Sequence, residues 1–167
     1  MVNFLQLEEM VMGKLKSFGV EEGKGRYYEE IVYSTALLYN IIDDTLSTYL
    51  RSFDLTIGKF NILMVIKHQG EAAGINQAEV SKKLIVTPSN MTKLIDKLEE
   101  DGLVKRNVLA RDRRVNILKV TARGSALLDQ AWPEYVNRLK RLVDSLNASD
   151  QKELSKYLRK WLGSFRR

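Results

Sequence analysis

Asn76 and Thr87 each carry the signal for a helix start, and they stand so close that only a tight turn fits between the helices they open. Asn76 reads as an N-cap with Glu79 three residues on, close to a capping box. The helix that follows is short and ends near Leu84. Three residues later Thr87 caps the next helix, with Pro88 in the first turn, where its missing N–H costs nothing. Asp101-Gly102 stops that helix. Two helices joined by three residues make a helix-turn-helix.

The second helix is two-sided. Met91, Leu94, Ile95 and Leu98 form the stripe of a buried face. The opposite side carries Ser89, Asn90, Thr92, Lys93 and Lys97. Short hydroxyl and amide groups with cations among them suit the base edges and phosphates of a DNA major groove. Two β-branched, apolar segments follow, 103–109 and 115–120, with a polar loop from Ala110 to Arg114 between them, which predicts a β-hairpin. The loop sets Arg111, Arg113 and Arg114 around Asp112. A guanidinium fits the narrow minor groove and its negative potential. Asp112 paired with Arg114 would hold the loop in one shape.

Charge supports this reading by its location. The chain of 167 residues carries a formal net charge of +6. Residues 103–123 alone hold seven basic side chains and one acid, also net +6, while residues 1–50 are net −4. A local stripe of that density is an electrostatic footprint for a polyanion.

Long helical patterns flank this unit. Apolar residues recur at helical spacing over 4–18, and a glycine-rich linker follows from Gly19 to Gly25. A second pattern runs over 27–53 from Tyr28 to Phe53. Thr56 caps a helix that runs to Gln69 and stops at Gly70. Thr121 caps a long helix to about Leu146, with Pro133 as a site for a kink, and Asn147 to Asp150 begins a last one. The fold class is mainly α with a small β-hairpin wing: a winged helix-turn-helix over 55–121, an N-terminal extension over 1–26, and dimerisation helices over 27–54 and 122–167. A wing domain of about 65 residues cannot cover all the Leu, Tyr, Phe and Trp of the flanks. A second copy can, and a homodimer would set two recognition helices about one DNA turn apart, roughly 34 Å.

Several function classes fall away. There is no cysteine, so no disulfide framework, thiolate nucleophile or cysteine zinc site exists, and the single His68 argues against a histidine metal site. No apolar run is long enough to span a membrane and no signal peptide opens the chain, which makes the cytoplasm the expected compartment. No H-E-x-x-H, phosphate loop or companion to the Ser149-x-x-Lys152 spacing appears, so neither catalysis nor a cofactor is expected.

The run NQAEVSKKLIVTPSNMTKLIDKLEEDGLVKR, followed by DRRVNILKVTARG, resembles the winged helix-turn-helix of the MarR family of bacterial transcription regulators. With the long flanking helices the resemblance extends over roughly residues 27–165. It implies a homodimer on a palindromic operator in double-stranded DNA, with a recognition helix in each major groove and a wing arginine in each flanking minor groove. Carried onto this chain, Ser89, Asn90, Thr92 and Lys93 face bases and phosphates. Arg113 and Arg114 form the wing, with Asp112 as its organiser. Family members often sense small aromatic or anionic effectors in a cleft between the dimer helices and the DNA-binding lobe, which Tyr39, Met64 and His68 could approach here. Without cysteine, the thiol switch of some relatives cannot operate. The rival expectation is a winged-helix protein that acts through protein contacts or binds nucleic acid without sequence preference.

Overall fold

The computed structural model describes residues 4–20, 25, 27–70, 73–84, 88–109 and 112–165. The chain divides into two compact units, residues 1–45 and residues 46–167. In order, the elements are α1 (Phe4–Lys16), α2 (Tyr27–Leu50), a single 3-10 turn (Arg51–Phe53), α3 (Ile57–Gly70), β1 (Ile75–Asn76), α4 (Gln77–Lys83), α5 (Pro88–Glu100), β2 (Val104–Leu109), β3 (Asp112–Val120), α6 (Ala122–Leu142) and α7 (Ala148–Ser164).

In the first unit, Leu15 and Val20 are buried, and Phe18 stacks on Tyr33 with ring centroids 5.0 Å apart. The exposed side chains of α2 in this unit include Tyr27, Tyr28, Ile31, Val32 and Leu38.

The second unit is built around α3. Phe60, Ile62, Leu63 and Ile66 are all buried, although they point to more than one side of the helix. A helix apolar on several sides belongs inside a core, and α3 touches α4, α5, α6 and β3. Thr56 caps it as expected, accepting from the Lys59 N–H at 3.2 Å. α5 begins at Pro88 and ends at Glu100, and Gly102 then turns left-handed at φ 68°. The Gly102 N–H bonds the Glu99 carbonyl and the Leu103 N–H the Leu98 carbonyl, the paired closure that a glycine past a helix end permits.

The sheet is antiparallel in the order β1-β3-β2. β1 was not foreseen: two residues are too few to show a period, and Asn76 serves both as ladder partner of Ile117 and as N-cap of α4. The capping box expected there is not completed. Asn76 accepts from the Ala78 N–H at 2.8 Å, while Glu79 turns to Lys82 at 2.7 Å. The full capping box lies instead at Asn147 and Asp150, which start α7. α6 ends at Leu142 and not near Leu146, because Val143 leaves the helical conformation at φ −118° and ψ 9°.

The hairpin loop also needs correction. β3 already begins at Asp112, so Asp112, Arg113 and Arg114 belong to a strand and not to a five-residue loop. The ladder steps from Val108–Asn116 to Leu109–Asp112, so Arg113, Arg114 and Val115 fall within an irregularity of the sheet. Bulges of this kind bend a strand and sit at sheet ends.

One joint locks hairpin to helix. The Thr121 hydroxyl donates to the Gly102 carbonyl at 2.8 Å and accepts from the Gly124 N–H at 3.0 Å. A Cβ on Gly124 would collide with the Leu103 carbonyl and lie 2.9 Å from Val120 Cγ1. Gly124→Ala is therefore expected to destabilise the fold by about 1–3 kcal/mol, read as a lower midpoint in denaturant unfolding.

Candidate nucleic-acid interface

The apolar stripe of α5 is buried as expected: Met91, Ile95 and Leu98 are fully enclosed and Leu94 is half-buried. Burying that face turns Asn90, Thr92, Lys93 and Lys97 outward, and all four are exposed. Asn90 and Lys93 lie three residues apart on one helix, near enough to share a patch. Ser89 lies in the first turn of α5; its side chain, like those of Asp112, Arg113 and Arg114, falls outside the described residues, and Arg111 does so entirely.

The outward residues differ in what already holds them. Thr92 accepts a hydrogen bond from the Gln77 side-chain amide of α4 at 3.3 Å, so the first helix of the pair braces the second. Lys93 has no carboxylate partner among the described residues. Lys97 lies 3.1 Å from Glu100 and 3.6 Å from Asp101, and its pKa is raised, chiefly by the hydrogen bond to Glu100. Much of its charge is therefore answered by carboxylates at the end of α5 and just past it.

The rear of α5 is held by ion pairs. Lys59 of α3 donates to Asp101 at 2.7 Å, and that bond holds the Asp101 carboxyl below its usual range. Arg106 of β2 reaches Asp96 at 2.5 Å and Glu99 at 3.7 Å. Sequence reasoning counted Arg106 only as part of the basic stripe. Its signal was the pair Asp96 and Glu99, one helical step apart and followed closely by a strand bearing an arginine. Gln77 was missed because its partner, Thr92, lies fifteen residues away on the next helix, and no local pattern encodes that contact.

Met64 is half-buried against the core, and His68, one turn further along α3, is exposed. Tyr39 belongs to the first unit and is 66% exposed. Among the described residues, no group of His, Asp and Glu is arranged to hold a metal ion, and no helix is long and apolar enough to cross a membrane.

Residues 55–115 match the model of the MarR family, the segment that runs from the start of α3 into β3. This segment, 55–115, belongs to the MarR family of winged-helix regulators. The chain is 24% identical over 130 residues to the transcriptional regulator MhqR of Bacillus subtilis, covering 78% of this chain and 86% of that one. It is 30% identical over 105 residues to the transcriptional repressor YetL of the same organism, covering 63% of this chain and 61% of that one. Among solved structures, a mutant MarR of E. coli complexed with operator DNA superposes with a TM-score of 0.72 at 27% identity, covering 80% of this chain and 94% of that one. The MarR fold thus accounts for the helix pair, the three-stranded sheet and the long helices together.

Proposed function

We propose that this MarR-family chain is a sequence-specific DNA-binding transcription regulator: a homodimeric repressor that grips a palindromic operator and is released by a small aromatic or anionic effector. The observation that carries the reading is the two-sidedness of α5. Met91, Ile95 and Leu98 of its apolar stripe are fully enclosed, and Asn90, Thr92 and Lys93 stand outward from it. In this reading α5 enters the major groove, Asn90 reads a base, Thr92 and Lys93 meet base edges or phosphates, and Arg111, Arg113 and Arg114 reach the flanking minor groove, organised by Asp112. The E. coli relative complexed with operator DNA supports the DNA contact, and the name of the YetL relative supports repression.

Dimerisation is supported by apolar surface without cover. α7 has no buried residue, and Leu154, Tyr157, Leu158, Leu162 and Phe165 are exposed along it. Met64 and His68 of α3 are the effector-facing residues of this proposal in the second unit.

Selection of bound fragments from genomic DNA tests the reading. The expected result is a shared inverted repeat whose half-sites lie about one helical turn apart. Recovery of fragments with no common motif would favour binding without sequence preference, and recovery of none would favour action through protein contacts. Asn90→Ala is expected to change preference at one base position by about 1–3 kcal/mol, read by competition with single-base variants of the recovered site. A uniform loss across all variants would make Asn90 a backbone contact.

A further inference from the structure

The basic stripe is not uniformly available to a ligand, and Arg106 is informative. Arg106 is only 22% exposed, and its guanidinium is directed at α5. One nitrogen meets Asp96 Oδ1 at 2.5 Å and Nε lies 3.7 Å from Glu99 Oε2. The Arg106 backbone N–H donates to Glu99 Oε1 at 3.1 Å. One residue of β2 therefore takes hold of two carboxylates of α5 with both its main chain and its side chain. On the other side, Lys59 fixes Asp101 to α3. The C-terminal half of α5 is clamped by ion pairs from sheet and helix, while its first half is braced by the Gln77–Thr92 hydrogen bond, and among the described residues Asn90 and Lys93 make no ion pair.

We infer that Arg106 is a positioning residue for DNA recognition, setting the angle between α5 and the hairpin, and is not itself a phosphate contact. The inference rests on the DNA-binding reading above. Base readout through hydrogen bonds demands short distances and narrow angles, and a small rotation of α5 against the hairpin displaces the outward side chains of the whole helix. A planar guanidinium hydrogen-bonded to Asp96, with the backbone N–H of the same residue on Glu99, fixes orientation better than a lysine ammonium, which acts as a point charge. Nonspecific attraction to phosphates needs no such geometry.

The test compares the full-length wild type with Arg106→Met, Arg106→Lys and the core control Leu128→Ala. Each is titrated with the selected operator and with a random duplex of equal length across a salt series, and thermal unfolding is followed in parallel. Arg106→Met is expected to keep its affinity for random DNA and its salt slope, and to lose about tenfold in the operator-to-random ratio. Arg106→Lys should fall between it and the wild type. Leu128→Ala should lose thermal stability with the ratio unchanged, which separates positioning from a general weakening of the fold. An unchanged ratio in both arginine variants overturns the inference. So does an equal loss on both duplexes with the salt slope reduced by about one, the mark of a phosphate contact. If Arg106→Met does not fold, Arg106→Lys decides by the same criteria. A wild type with equal affinity for both duplexes overturns the DNA reading and this inference with it; a wild type with a clear preference that Arg106 variants retain overturns the inference alone.

Discussion

Phe60→Ala is expected to destabilise the second unit by about 3–5 kcal/mol, measured by equilibrium denaturant unfolding. Phe60 is 1% exposed, and its ring centroid lies 4.5 Å from that of Tyr135 on α6. Truncation removes the transfer energy of the ring and leaves a cavity between α3 and α6 that neither helix can close without moving the other. Burial also raises the Tyr135 pKa, in keeping with a ring held in apolar surroundings. Domains of this kind are stable by about 5–15 kcal/mol, so the loss is a large share of the total. A loss below about 1 kcal/mol would show that α3 is not the centre of the core.

The second large effect concerns assembly. Leu158→Asp combined with Leu162→Asp is expected to turn a dimer into a monomer at micromolar concentration, measured by sedimentation equilibrium, and to weaken operator binding at least about a hundredfold. Leu158 and Leu162 lie one turn apart on α7, and Leu162 is 63% exposed. A helix with this much apolar surface open to water is costly unless something covers it. Carboxylates there would have to be desolvated in any interface, whereas on an isolated chain they would sit in water at little cost. α3, α4, α5 and the sheet should keep their thermal stability. A wild type that sediments as a monomer would contradict the dimer reading outright.

Much of the fold was legible because it rests on local signals. Thr56, Pro88, Gly102 and Thr121 mark element ends through backbone chemistry that acts within a few residues. The stripe of Met91, Ile95 and Leu98 is legible for a similar reason, since a helix period is written in one segment. What escaped depends on partners distant in the chain. β1 exists because Ile75 and Asn76 meet Leu118 and Ile117. β3 extends back to Asp112 through an irregular pairing that alternation does not encode. The charge count of the hairpin had the same limit: it could not show that Arg106 is turned toward Asp96 and Glu99. Nor does the outward face of α5, read as a list of residues, show that Lys97 is answered by Glu100 and Asp101. The sum of the stripe was right, and the share open to a polyanion is smaller than the sum.

The central claim is sequence-specific DNA binding by the exposed face of α5, and equilibrium binding of the full-length protein to its selected site and to a scrambled duplex tests it most directly. At physiological salt the expected preference for the selected site is about 10³ or more, and it persists as salt is raised. Equal affinity for the two duplexes at every salt concentration would contradict it.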